Sequence, residues 1–143
     1  MVRILLFLLI TGLHSNAASE KVKDGEVRFQ KTISLTIKFS ELSVNNGKVM
    51  ILVKNEQKLD FAKLVIPINN NSSSVTLEVE PGKYAVVAFH DINSNEKLDK
   101  NMFGIPTEPY GFSNNARGLL GEPDFEEQLV EVLSPKTITF ILE

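Results

Sequence analysis

From Thr32 to Phe39 apolar and polar residues alternate. Ile33, Leu35, Ile37 and Phe39 fall on one face, and Thr32, Ser34, Thr36 and Lys38 on the other. Strand side chains point alternately to opposite faces, so this period of two predicts a half-buried strand. Lys48 to Lys54 predicts the next strand, and Asn45-Asn46-Gly47 supplies a turn, so the two read as a hairpin. Phe61 to Ile68 is a weaker strand, with Pro67 marking an edge. After the polar turn Asn69 to Ser74, Val75, Leu77 and Val79 alternate with Thr76, Glu78 and Glu80. Pro81-Gly82 is a turn, and Tyr84 to Phe89 is a continuous apolar run, as expected of a strand covered on both faces. Residues 92–125 predict a long loop. Phe125 to Gln128 fits one helical turn, and Leu129 to Leu133 and Thr137 to Leu142 close the chain as two strands around Pro135. About seven short strands with little helix predict an all-β fold, a single antiparallel β-sandwich. The order of an alternating strand followed by a Pro-Gly-Lys-Tyr strand is similar to transthyretin-like and carboxypeptidase-regulatory-like sandwiches, a likeness of fold alone, and the expected sandwich is transthyretin-like or immunoglobulin-like.

Candidate chemistry begins where the central strand ends. Asp91, Asn93, Asn95, Lys97 and Asp99 follow at every second position. Calcium loops offer side-chain oxygens from positions one, three and five, a backbone carbonyl from seven and a further oxygen from nine. Here Asp91, Asn93 and Asn95 would supply the first three, Lys97 its carbonyl and Asp99 the ninth, with Glu108 available to complete the shell. Two positions depart from the EF-hand pattern: the sixth is Glu96 instead of Gly, and the twelfth is Met102 instead of a bidentate Glu. The same residues fit nested Asx-turns with no metal, because Asp and Asn side chains bond nearby backbone amides and tolerate left-handed conformations.

The second half of the loop places Phe103, Ile105, Tyr110 and Phe112 among Gly104, Pro106, Pro109 and Gly111. A loop this apolar is expected to fold back over a sheet face and bury its aromatics. His90, Tyr110, Phe112, Asn114 and Arg117 are candidates for binding a small ligand or glycan, each with a plain packing or capping role as its alternative. A small hydrolase could be assembled on paper from His90, Ser113 and a neighbouring acid, but no G-x-S-x-G elbow exists, and no catalytic residue is assigned.

The segment Tyr84 to Ala116, YAVVAFHDINSNEKLDKNMFGIPTEPYGFSNNA, resembles the signature of the bacterial "domain of unknown function 2141" family. The matching residues are His90, Asp91, Asn93, Asn95, Asp99, Gly104, Pro106, Glu108 and Tyr110 to Asn114. The resemblance implies an exported β-sandwich and brings no activity with it. Family members often carry Gly after the second Asn, where this chain has Glu96.

Composition changes the picture little. The chain has 143 residues, 43% hydrophobic and 23% charged, which suits one domain with a real core. Net charge is −3 with no Lys/Arg cluster, so nucleic acid is not an expected partner. Met1 to Ala17 reads as a secretory signal peptide: Arg3, the apolar run Ile4 to Leu13, then Ser15-Asn16-Ala17 before the cut. The run is too short to span a bilayer, so no transmembrane segment is expected after cleavage. Absence of cysteine excludes disulfides and thiolate metal sites. The chain is therefore expected to be an exported, periplasmic or secreted, non-enzymatic domain over residues 18–143. Its loop is a candidate for Ca2+, facing an envelope or extracellular partner or a small ligand.

Overall fold

The computed structural model describes residues 19–23 and 26–143, with side chains from residue 31 onward. The expected signal peptide, Met1 to Ala17, lies outside the described residues. Ten strands follow in order: β1 (Ser19–Lys23), β2 (Glu26–Gln30), β3 (Ile33–Phe39), β4 (Lys48–Asn55), β5 (Asp60–Pro67), β6 (Ser73–Val79), β7 (Gly82–Asp91), β8 (Tyr110–Phe112), β9 (Val130–Val132) and β10 (Lys136–Phe140). One helical turn, α1 (Phe125–Gln128), precedes β9.

Two sheets pack face to face. One has three strands in the order β10-β3-β6. The other has five, in the order β5-β4-β7-β8, with β9 also on β7. The alternation of β3 is realised in full: Ile33, Leu35, Ile37 and Phe39 are all buried. They meet Val49, Ile51 and Val53 of β4, Val86 and Ala88 of β7, and Val130, Val132 and Phe140 in one core. Phe39 and Phe140 stack at 5.1 Å between ring centroids. Burying side chains of this size stabilises by roughly 1.5–3 kcal/mol each, which is why the short strands β9 and β10 hold.

Three expectations are corrected. β3 and β4 do not form a hairpin: β3 pairs with β6, and β4 pairs with β5 and β7. The link between them crosses from one sheet to the other. It is fastened to the β5–β6 turn by Asn71, whose Nδ2 donates to the Leu42 carbonyl at 2.7 Å and whose N–H donates to Asn45 Oδ1 at 3.2 Å. The sandwich is not wholly antiparallel, because β10 runs parallel to β3. The strand count of about seven missed β8 inside the loop and the separate β1–β2 hairpin.

The two outer faces differ. On the three-stranded sheet polar pairs cross the strands: Ser34 Oγ donates to Glu78 Oε1 at 2.7 Å, and the Thr36 and Thr76 hydroxyls share a 2.9 Å bond. On the five-stranded sheet Met50, Leu52, Val87 and Phe89 stay half-buried beside Leu98 of the long loop. At the far end of this sheet the Tyr84 hydroxyl donates to the Glu80 carbonyl at 2.8 Å. Burial, and then the charges of Glu80 and Glu56, hold its phenol above the usual value. A raised acid favours the folded state below its unfolded pKa of about 10 and loses that contribution as pH rises through the folded value. The chain has two tyrosines, so phenolate absorbance should show a late step that Tyr84→Phe removes. A titration of the native protein complete near the ordinary value of about 10 would contradict this.

Candidate functional site

Side chains along β7 alternate, so its last two residues diverge. His90 turns inward and Asp91 outward, and both are fully buried. The Asp91 carboxylate is spent on the loop that follows: Oδ1 accepts the Asn95 N–H at 3.0 Å and Oδ2 accepts the Glu96 N–H at 2.9 Å. Asn93 Oδ1 accepts the Asn95 N–H at 3.0 Å and Asn95 Oδ1 accepts the Lys97 N–H at 2.9 Å, a pair of Asx-turns. Ser94 and Glu96 take left-handed backbones, with φ of 60° and 63°. The sharp turn at the sixth position is thus made without glycine, at a strain of about 1–2 kcal/mol for Glu96 that the Asp91 bonds offset.

The ladder closes on Asp99. Its Oδ2 accepts from Asn93 Nδ2 at 2.6 Å, and its two carboxylate oxygens accept from Asn95 Nδ2 at 3.0 and 3.2 Å. Asp91, Asn93, Asn95 and Asp99 therefore form one hydrogen-bonded cluster. Glu108 does something different: Oε1 accepts the Ile92 N–H at 2.8 Å and Oε2 the Asp99 N–H at 3.2 Å, stapling the two ends of the loop. Lys97 is exposed and enters the cluster only through its backbone. Among the described residues, no three His, Asp or Glu side chains group in a metal-holding arrangement. The donors that meet are two carboxylates and two amides, all oxygen ligands of the kind a hard cation takes. A cation held there would have Asn93 and Asn95 turn their amide oxygens toward Asp99, where their nitrogens now lie.

The remaining candidates separate. His90 Nε2 lies 2.6 Å from the Asn46 carbonyl, so Nε2 carries a proton; Nδ1 is buried without a partner. The Ser113 hydroxyl donates to the Gln128 carbonyl and accepts the Val86 N–H at 2.9 Å. His90, facing away from the Asp91 carboxylate, makes no base–nucleophile pair with Ser113. Asn114 Nδ2 donates to the carbonyls of Glu127 and Leu129 at 2.9 and 3.0 Å, bracing α1. Arg117 pairs with Glu143 at 3.1 Å. Tyr110 and Phe112 meet edge to face at 5.9 Å and line a cavity on the outer face of the five-stranded sheet.

A sequence model of the family described as an uncharacterized protein conserved in bacteria (DUF2141) matches residues 37–139. The chain belongs to DUF2141. No curated protein and no solved structure matches it. The matched span of this DUF2141 chain runs from the end of β3 into β10 and takes in the whole Asp91–Glu108 cluster.

One expectation about the loop is overturned. Tyr110 and Phe112 do pack on the sheet, but Phe103 is 80% exposed and Ile105 59%. Asn101 is the cause: its Oδ1 accepts the N–H groups of Phe103 and Ile105 at 2.9 and 3.1 Å, fixing a turn that throws the Met102-Phe103 tip outward. The sequence reading also missed the apolar outer face of β4. The signal was present, since Met50 and Leu52 interleave with Val49, Ile51 and Val53 in a run apolar on both faces.

Proposed function

We propose that this chain is an exported, non-enzymatic β-sandwich whose Asp91–Asp99 loop takes a calcium ion weakly and, once ordered, holds the outer face of the five-stranded sheet ready for an envelope or extracellular partner. The observation that carries this reading is the convergence of Asp91, Asn93, Asn95 and Asp99 through bonds of 2.6–3.2 Å. It is supported by a left-handed Glu96 at the position where such loops turn sharply. The ion would neutralise Asp91 and Asp99 and replace the Asn-to-Asp99 bonds, while Lys97 keeps its charge in solvent. With two carboxylates in the loop, the affinity belongs in the ~0.1–1 mM range of extracellular modules. The export reading rests on the charge, length and small-residue pattern of Met1 to Ala17.

Thermal unfolding in chelator and across a calcium series tests it. At ten times its dissociation constant an ion bound only by the folded state adds about 1.4 kcal/mol, a rise of roughly 3–6 °C for a domain of this size. The shift should saturate, be absent with magnesium and vanish in Asp99→Ala. No shift, or an equal one in Asp99→Ala, leaves the ladder as turn chemistry alone.

A further inference from the structure

We propose that the outer face of the five-stranded sheet binds a single-chain amphiphile with an anionic head, of the fatty-acid class. Met50, Leu52, Val65, Val87 and Phe89 form an apolar floor, and Leu98 reaches over it from the Asp/Asn loop, bounding a groove of about 340 Å³. A second cavity of about 370 Å³ shares Leu52, Val87 and Leu98 with the first and continues it past Tyr110 and Phe112. The two make one elongated channel of the size small-molecule sites occupy. The opposite outer face, with its Ser34–Glu78 and Thr36–Thr76 pairs, shows what a solvated face of this sandwich looks like.

Charge selects the occupant. Three lysines and one glutamate line the channel: Lys63 at the first end, and Lys54, Lys100 and Glu122 at the second. Lys63 is held by Asp60 at 2.9 Å, and Asp60 also lies opposite Lys54 across the strands. Glu122 accepts from Gln128 Nε2 at 3.2 Å. The three lysines outnumber the two acids, Asp60 and Glu122, and leave a net positive lining to meet an anion beside the apolar floor. Gly104 and Gly121 line this same end. They follow the exposed pairs Met102-Phe103 and Leu119-Leu120, the last two 97% and 99% exposed. An acyl chain lying along Leu52 and Val87 with its carboxylate at Lys54 and Lys100 would satisfy both the apolar floor and the basic end. None of Asp91, Asn93, Asn95, Asp99 and Glu108 lines the groove, so the test is made without the cation.

The test is calorimetric titration with a series of straight-chain carboxylates from hexanoate to laurate, below their micelle thresholds and without calcium. Each buried methylene is worth roughly fourfold in affinity, so the constants should climb steeply with chain length and level off when the channel is full. Leu52→Glu should weaken laurate at least about tenfold. Val65→Asp, at a side chain already 49% exposed, should weaken it without threatening the fold. The double substitution Lys54→Glu with Lys100→Glu should weaken laurate but leave lauryl alcohol unchanged. Affinity independent of chain length, or unchanged in both Leu52→Glu and Val65→Asp, overturns the proposal. Two further results would do the same. One is association only with phospholipid vesicles, lost in Phe103→Ser and kept in Val65→Asp. The other is a dimer, blind to laurate, that Val65→Asp dissociates.

Discussion

Asp91→Ala should lower the stability of the folded protein by about 2–3 kcal/mol, a fall in Tm of roughly 6–12 °C. The carboxylate is fully buried and both of its oxygens are committed, one to the Asn95 N–H and one to the Glu96 N–H. Charge-assisted bonds of this kind are worth about 1.5–3 kcal/mol each, and losing the acceptor strands the donor. The two donors do not suffer equally. Asn95 N–H keeps Asn93 Oδ1 at 3.0 Å, whereas Glu96, already in a left-handed backbone, has its bond to Asp91 as the restraint that holds it there. Asp91→Asn keeps one acceptor and should lose about half as much. Urea unfolding of the three proteins in chelator measures this free of any ion effect. A loss below about 0.5 kcal/mol in Asp91→Ala would mean that the loop does not hang on this carboxylate.

Gly47→Ala should be at least as damaging, by about 3 kcal/mol or more, for a reason that lies in the backbone. Gly47 has φ of +80°, and a Cβ there would sit 2.1 Å from the Asp91 carbonyl oxygen and 2.8 Å from Ile92 Cα. The link from β3 therefore presses on the very point where β7 gives way to the Asp/Asn loop, and neither backbone can yield without moving Asp91. Gly104 provides the control. Its φ is +78°, but nothing lies within 4 Å of the added carbon, so Gly104→Ala should cost only the conformational strain of about 1–2 kcal/mol. Denaturant midpoints of the two variants separate clash from strain. Equal losses would mean that the Gly47–Asp91 contact does not constrain the loop.

Local chemistry was legible in the residues and partnership was not. The faces of β3 follow from its period of two, and Ile33, Leu35, Ile37 and Phe39 are buried as that period requires. Period says nothing about which strand lies alongside. The short link from Phe39 to Lys48 suggested a hairpin, yet Asn71, far along the chain, draws that link across to the other sheet. Turn chemistry is local too, so the Asp/Asn ladder was readable down to its Asx bonds. The missing glycine at Glu96 was read as a departure from the calcium-loop turn, yet a bond from its N–H to Asp91 Oδ2, already in the ladder, holds that residue left-handed. The aromatic tip misled for the opposite reason. Composition argued that Phe103 should be buried, whereas a single side chain, Asn101, sets the turn that exposes it.

The parallel pairing of β10 with β3 has a consequence for how the molecule comes to exist. Leu35 to Phe39 find their partners in Lys136 to Phe140, about a hundred residues later, a span that makes closure slow among small domains. During synthesis β3 and β6 are both made before β10, and one flank of β3 then waits, unpaired and backed by apolar side chains, for about a hundred residues to follow. Such a flank is a template for any neighbouring strand. The last strand made is the one that seals the first edge, so a stall before Lys136 yields a sticky intermediate instead of a smaller working domain.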